Sequence, residues 1–243
     1  PRMSLQDLRK SFSIEADKYF PFAQDQIYTD CYILDPQGKG KEMAVLAAAA
    51  KKEMVDQRIK LLSDLGLQAD FIGINPVALA NVLHVFGFGE EEKDSVVALF
   101  DMGESVSNLT IAIDRLPCFT RDIFIGGRDF TERLSNALGI SLQEAEQLKT
   151  QPGDRTEEII SASESAIMSI AQELRLSFDY FTTEKGGEVN KLVLTGGASK
   201  LEGILEALER VLDVKVSRWN PLTLLKLSPS LSMDDLNKNA FQL

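Results

Sequence analysis

Three glycine-containing turns constrain the fold most, because each directly follows an apolar segment with the composition of a β-strand. They are DMGES at 101–105, IGG at 125–127 and TGGAS at 195–199. The second and third turns lead into segments with helical periodicity. Glycine lets the backbone pass close to another chain or to a ligand. Strands that end at such turns and alternate with helices predict an α/β fold.

The first third of the chain predicts a unit of its own, residues 1–86, with alternating helices and strands. Periodicity and turn signals give the order helix, strand, strand, helix, strand, helix. The predicted bounds are 4–20, 27–34, 42–49, 51–65, 67–74 and 76 to about 85. The polar, acidic segment GFGEEEKD predicts a linker at 87–94.

The remainder predicts a second unit over 95–225, followed by a tail at 226–243 with little pattern. Its signals are strands between 95 and 125 and a strand that enters the TGGAS turn. Helices are predicted at 128–138, 141–149 and 157–184, and another follows the last glycine turn.

The charge of these residues argues against a nucleic-acid partner, and their apolar pattern argues against a membrane-spanning segment. The formal net charge is −11, and nucleic-acid binding requires clustered Lys and Arg to neutralise phosphates. The longest apolar run, residues 43–50, is much shorter than the roughly 18 residues that span a bilayer.

The first turn is a candidate site for phosphate and Mg²⁺. Asp101 ends a strand and is followed by Gly103, Glu104 and Ser105. Gly103 would let backbone N–H groups approach phosphates, and Asp101 would hold Mg²⁺ through water. An ordinary hairpin turn explains the same residues, so the motif alone does not decide.

The other two turns are candidates for binding the rest of a nucleotide. Gly126 and Gly127 open a helix whose N-terminus would attract anions. Gly196, Gly197 and Ser199 would let a phosphate or an adenine lie against the backbone. Glycine before a helix is common, and neither turn has the Walker or the Rossmann spacing.

Glu146 and Lys149 form a candidate ribose-binding pair. They lie three residues apart in AEQLK and therefore share one face of a helix. A surface ion pair, which contributes well under about 1 kcal/mol, is the alternative interpretation.

The order of these motifs resembles the second lobe of the actin, heat-shock-70 and sugar-kinase superfamily. Three longer segments are similar to the PilM family of type IV pilus assembly proteins. They are IEADKYFPFAQDQIYTDCYIL, MAVLAAAAKKEMVDQRIKLLSDLGLQADFIGINPVALAN and ELRLSFDYF. The resemblance implies an actin-like ATPase fold with an SHS2-like inserted subdomain. Residues 1–86 would form this subdomain with part of the first lobe, 95–225 the second lobe, and 226–243 would return towards the first lobe.

The resemblance also implies a function. A PilM-like protein would be a cytoplasmic assembly platform that binds ATP and Mg²⁺ structurally, with little or no hydrolysis. It would dock a PilN-like cytoplasmic peptide of a bitopic inner-membrane protein, and so would meet the membrane only through partners. Self-association is a further expectation. In this superfamily the turn at Asp101 holds phosphate, Glu146 and Lys149 hold ribose, and the turn at Gly196 borders the adenosine.

Two alternatives remain open at this stage. One is an FtsA-like, membrane-associated filament protein, although the acidic segment SMDDLNKNAFQL is only weakly amphipathic. The other is a kinase of the same superfamily, for which no carboxylate can be assigned as the base.

The N-terminal side of the sequence bears on nucleotide affinity. The PilM family carries a first phosphate loop, DxGxxxxK, ahead of the segment that corresponds to Pro1. These 243 residues begin after the position of that loop. We therefore expect ATP and Mg²⁺ in a full-length protein, and weak nucleotide binding by this stretch alone.

Overall fold

The computed structural model describes residues 1–87, 96–219 and 228. The chain divides into two compact units, Pro1–Ile72 and Gly73–Leu243. The first unit contains helix α1 (Leu5–Glu15), strands β1 (Ile27–Ile33) and β2 (Val45–Lys51), and helix α2 (Lys52–Asp64). Of the predicted linker 87–94 only Gly87 lies within the described residues, and of the predicted tail 226–243 only Ser228 does.

The first unit is built on an antiparallel pair of strands. β1 pairs with β2 so that Ile27 lies opposite Lys51. Helix α1 begins at its N-cap Ser4, whose hydroxyl accepts a hydrogen bond from the N–H of Asp7. Phe12 on α1 is buried and makes ring contacts with Tyr19 and Phe20.

The predicted strand at 67–74 is wrong. Residues 67–74 form no strand, and Phe71 within them is 84% exposed. A strand needs a neighbour to pair with its N–H and C=O groups. Within residues 1–87, β1 and β2 pair only with each other, so the apolar alternation of 67–74 has no ladder to join.

The second unit has a five-stranded mixed sheet. Its elements are α3 (Asn75–Phe86), β3 (Val96–Met102), β4 (Ser107–Ile113), β5 (Leu116–Ile123), α4 (Gly127–Leu138), α5 (Leu142–Thr150), α6 (Thr156–Ala162), α7 (Glu164–Lys185), β6 (Lys191–Thr195), α8 (Ile204–Leu212) and β7 (Lys215–Arg218). The strand order is β5-β4-β3-β6-β7, with β3, β4 and β5 antiparallel. β6 runs parallel to β3 and β7 parallel to β6, which confirms the α/β class.

Buried side chains cover both faces of this sheet. On one face Phe100 of β3 packs in a large core with Phe130 of α4 and Leu174 of α7. On the other face Leu99 and Val193 pack with Leu83 of α3 and with Trp219.

The position of α3 moves the boundary between the units. Sequence analysis set the boundary at residue 86, but it lies between Ile72 and Gly73. The apolar side of α3, which includes Leu79, Val82 and Leu83, packs on the sheet of the second unit. Burial of that face outweighs its sequence proximity to the first unit.

Two further elements differ from the sequence prediction. The long helix at 157–184 is two helices, α6 and α7, which meet at Ser163, where φ is −94° and ψ is 0°. The short edge strand β7 had no strong alternation and was not predicted.

Candidate functional site

The turns after β3 and β6 lie side by side. Parallel pairing of these strands sets Asp101 opposite Thr195, so the DMGES and TGGAS turns leave the sheet at the same end. Gly196 has a φ of +83°, and a Cβ atom there would lie 2.4 Å from Oδ1 of Asp101 and 2.6 Å from the carbonyl oxygen of Met102. Only glycine fits this contact without a shift of the backbone.

The IGG turn packs directly against the DMGES turn. The N–H of Gly127 donates to the carbonyl oxygen of Gly103 at 2.9 Å, and the N–H of Arg128 donates to that of Glu104 at 2.8 Å. A Cβ atom at Gly126 would lie 2.5 Å from the Glu104 oxygen. The paired glycines therefore let two turns touch.

This packing corrects the physical reason given for Gly126 and Gly127. Sequence analysis expected the N-terminus of α4 to attract an anion. The N–H groups of Gly127 and Arg128 are already donated to the DMGES turn, and the N–H of Gly126 donates to the Asp129 carboxylate at 2.8 Å. These three N–H groups are therefore not available to phosphate in this arrangement.

Backbone donors remain available on the other two turns. Within the described part of the chain, the N–H groups of Gly103, Glu104 and Ser105 donate to no acceptor, and neither do those of Gly197 and Ala198. Successive unpaired N–H groups in a turn favour anion binding. The two turns together can therefore offer donors to a polyphosphate.

Lys149 of α5 donates three hydrogen bonds, two of which reach α4. Its Nζ donates to the carbonyl oxygen of Gly127 at 2.9 Å, to Oγ1 of Thr131 at 2.8 Å and to Oε2 of Glu146 at 2.6 Å. The Lys149 side chain is only 11% exposed. These bonds use all three ammonium protons, so Lys149 acts here as a strut between the two helices.

Glu146 is held at one oxygen. Oε2 accepts from Lys149 and, at 2.5 Å, from the hydroxyl of Thr131, whereas Oε1 accepts no hydrogen bond within the described residues. Partial burial would raise the pKa of Glu146, but the hydrogen bonds from Lys149 and Thr131 and the Lys149 charge together lower it. The carboxylate therefore stays ionised at neutral pH and has a free acceptor oxygen.

These residues surround one cavity of about 980 Å³. Six of the sequence-predicted site residues line it, namely Gly103, Glu104, Gly127, Glu146, Lys149 and Gly197. The other five do not line it, namely Asp101, Ser105, Gly126, Gly196 and Ser199. Of these five, Gly126 and Gly196 allow close contacts between the turns, and the buried Ser199 hydroxyl donates to the Gly196 carbonyl at 2.7 Å.

Asp101 does not line the cavity and lies one residue before the end of β3. Its carboxylate has no hydrogen-bond partner within the described residues, and burial raises its pKa above the ordinary value. Asn108 lies opposite Asp101 on the neighbouring strand β4. Its side-chain amide does not bond Asp101, because it donates to Asp122 at 2.9 Å and accepts from the hydroxyl of Thr110. An unpaired, partly buried carboxylate is suited to a hydrated cation.

Sequence reasoning missed three residues that shape the site. Thr131 bonds both members of the Glu146–Lys149 pair, and Arg128 forms a 2.6 Å ion pair with Glu104 at the cavity. Arg218, at the end of β7, donates from Nε and Nη2 to the carbonyl oxygen of Ser199 and so holds the TGGAS turn. All three connections join residues distant in sequence, and no local motif marks them.

Comparison with known proteins identifies the family. Residues 2–243 match the family model of the type IV pilus assembly protein PilM. The chain belongs to the PilM family. A solved PilM–PilN type IV pilus biogenesis complex contains a similar chain, with a TM-score of 0.85, 26% identity, and coverage of 100% of this chain and 70% of that one.

Two further proteins are similar to this chain, one in sequence and one in fold. The cell division protein FtsA of Enterococcus faecalis is 26% identical over 215 residues, which are 78% of this chain and 48% of FtsA. This PilM-family chain thus spans about half the length of the curated relatives it matches. MreB5 of Spiroplasma citri bound to ADP has a TM-score of 0.53 at 13% identity, over 70% of this chain and 61% of that one, a likeness of fold alone.

Among the helices of the described residues, none is both long enough and apolar enough to cross a membrane.

Proposed function

We propose that this PilM-family chain binds ATP with Mg²⁺ in the cavity as a structural ligand, and contributes to a platform that docks a PilN-like cytoplasmic tail. The observation that carries the nucleotide proposal is that Gly103, Glu104, Gly197 and Ala198, which come from two glycine turns and have unpaired N–H groups, line the same cavity as Glu146. Backbone donors beside a carboxylate suit a ligand with phosphates at one end and hydroxyl groups at the other.

The residues fit a nucleotide in a defined way. The N–H groups of 103–105 would bind phosphate oxygens, and Gly197 and Ala198 would lie beside the adenosine. Glu146 would accept hydrogen bonds from ribose hydroxyls through its free oxygen. Lys149 would support Glu146 rather than touch the ribose, because its three protons are already donated.

The metal part of the proposal rests on Asp101. The described residues contain no group of three or more His, Cys, Asp or Glu side chains that could hold a metal ion. Mg²⁺ at Asp101 would therefore take its other ligands from phosphate and water, which is its usual preference. When bound, the ion would neutralise phosphate charge, which the acidic chain cannot do through its own net charge of −11.

The partner part of the proposal is supported by the similarity to the PilM chain of a PilM–PilN complex. We extend it to a cytoplasmic protein that meets the inner membrane through that partner. We also propose that the first unit belongs to an SHS2-like subdomain with part of the first lobe, and that the second unit contains the second lobe.

Amide NMR tests the nucleotide site, because it detects weak as well as tight binding. Titration with MgATP should shift the amide signals of Gly103, Ser105 and Gly197 in a saturable manner. Glu146→Gln should weaken binding. Glu158→Gln is the control and should not, because Glu158 is an exposed residue that forms an ion pair with Arg155. Unchanged signals at all three amides up to millimolar MgATP would contradict the site.

A binding assay tests the partner. A labelled peptide from the cytoplasmic tail of a PilN-like protein of the same organism should bind the chain, and a scrambled peptide should not. Equal binding of the two peptides would contradict the platform proposal while leaving the nucleotide site untouched.

A further inference from the structure

One hydroxyl group connects the cavity carboxylate to the opposite helix. Thr131 lies on α4 and is buried, and it lines the cavity. Its Oγ1 accepts from Lys149 Nζ at 2.8 Å and lies 2.5 Å from Glu146 Oε2 and 3.1 Å from the carbonyl oxygen of Gly127. This hydroxyl therefore contacts Lys149 and both of the other acceptors of the Lys149 ammonium.

The single hydroxyl proton has two possible acceptors, and chemistry decides between them. The Gly127 carbonyl already accepts from Lys149. The Glu146 carboxylate is charged and forms the stronger hydrogen bond. The Thr131 proton therefore goes to Oε2 of Glu146.

Lys149 cannot fix the carboxylate by itself. Lys149 lies on the same helix as Glu146 and is itself tied to α4 through Gly127 and Thr131. Its one bond to Glu146 holds a single point, Oε2, and leaves the carboxylate free to rotate about that contact. The bond from Thr131 comes from α4, which also packs on the DMGES turn. It fixes the carboxylate relative to that turn.

We propose that Thr131 is a positioning residue of the ribose site: its hydroxyl holds Oε2 of Glu146 and so presents Oε1 to the ribose hydroxyls of a nucleotide. This inference rests on the proposed function, and it adds the residue that orients the ribose acceptor. Thr131 acts through Glu146 and does not itself touch the ligand.

The test compares four proteins. Thr131→Val removes the hydroxyl at nearly constant shape, and Thr131→Ser keeps it. Thr150→Val is the matched control, because Thr150 also lines the cavity but its hydroxyl donates only to carbonyl oxygens of its own helix, at Glu146 and Gln147. If Thr131→Val does not fold, Thr131→Ala replaces it in the same comparison.

The first readout needs no nucleotide. Carbon-13 NMR titration of the Glu146 carboxyl should give a higher pKa in Thr131→Val than in wild type, because a hydrogen bond to the ionised form is lost. Thr131→Ser and Thr150→Val should keep the wild-type value. A Glu146 pKa unchanged by Thr131→Val would overturn the inference.

The second readout is discrimination at the ribose. Wild type should bind 2′-deoxyATP or 3′-deoxyATP about 10-fold more weakly than ATP, the size of one hydrogen bond to a charged acceptor. In Thr131→Val this ratio should fall to about 2-fold, and Thr131→Ser should restore it. Equal weakening of all three nucleotides by Thr131→Val would indicate a merely structural role and overturn the inference.

The two proposals fail in distinguishable ways. Wild type that binds ATP, with ribose discrimination unaffected by Thr131→Val, overturns only the role of Thr131. Wild type that binds none of the three nucleotides overturns the nucleotide site, and the role of Thr131 in ribose binding with it.

Discussion

At Gly126 the backbone of the neighbouring turn occupies the space that a side chain would need. A Cβ atom would lie 2.5 Å from the Glu104 oxygen and 2.6 Å from the Gly103 oxygen. Backbone carbonyls cannot move aside as the end of a flexible side chain can. We expect Gly126→Ala to lower the free energy of unfolding, measured in urea, by about 1–3 kcal/mol.

Gly197 provides the control for this substitution. It lies in the TGGAS turn, lines the same cavity, and no atom would lie within 4 Å of an added Cβ. Gly197→Ala should therefore change the free energy of unfolding by less than about 0.5 kcal/mol. Equal losses in the two variants would show that the contact between the turns is not the cause.

The Asp101 carboxylate should reduce stability in the absence of a cation. Burial raises its pKa in the folded chain above the ordinary 3.8, so the folded chain binds its proton more tightly than the unfolded chain does. Ionised Asp101 then destabilises the fold above the folded pKa, and this penalty vanishes below pH 3.8. Asp101→Asn should be more stable than wild type at neutral pH, with a gain that shrinks as pH falls through that window.

Thermal unfolding across pH, with and without MgATP, checks this prediction. MgATP should raise the melting temperature of wild type more than that of Asp101→Asn, because the variant lacks the charge that would attract Mg²⁺. A stability difference independent of pH would contradict the assignment of the penalty to ionisation.

The candidate site could be predicted from the sequence only where its residues lie in local motifs. The DMGES and TGGAS turns are both visible in sequence as glycines after apolar strands, and the parallel pairing of β3 with β6 brings them together. The contribution of Thr131 was not predictable, because its partners Glu146 and Lys149 lie on another helix. The N–H groups of Gly127 and Arg128 are donated to the neighbouring DMGES turn, and a sequence motif does not encode this packing between turns.

At the scale of elements, strong alternation and clear caps gave the best predictions. α5 begins after Ser141, whose hydroxyl accepts from the N–H of Glu144 while the Glu144 carboxylate accepts from the N–H of Ser141. The segment 67–74 has the apolar pattern of a strand but no partner, since pattern reports a side chain's preference and not the presence of a neighbour. The break at Ser163 carries no Gly or Pro signal, so periodicity alone extended one helix through it.

Helix α7 gives a test of where the large core lies. Leu174 is fully buried against the sheet, whereas Leu176, two residues later, is 53% exposed. Leu174→Ala should lower the free energy of unfolding by about 2–5 kcal/mol, because it leaves a cavity in a packed core. Leu176→Ala on the same helix should cost less than about 0.5 kcal/mol, and chemical denaturation of both variants decides whether α7 packs as described.

At the scale of the whole molecule, two functions are proposed: binding a nucleotide as a structural ligand, and docking a partner protein. All the residues proposed for nucleotide lie in the second unit, on turns and helices joined to its sheet. A bound nucleotide would cross-link the turns after β3 and β6 with α5, and would therefore stabilise the second unit by mass action. In this arrangement ATP would strengthen a scaffold without any chemical step.

The two units should also differ in local stability. In residues 1–72 the buried apolar side chains are Phe12, Ala16, Ile27 and Cys31, and α2 buries none of its residues. The second unit has a large core on one face of its sheet and a smaller one on the other. Backbone amides exchange with solvent through local opening, which is easier where few apolar contacts are lost. Hydrogen exchange followed by mass spectrometry should therefore show faster exchange in peptides from 52–64 than in peptides from 96–102 and 191–195.

MgATP should slow exchange in peptides that contain 103–105 and 197–198, and should leave 52–64 unchanged. Equal protection of the two units would show that the first unit has a stability that its buried side chains do not explain.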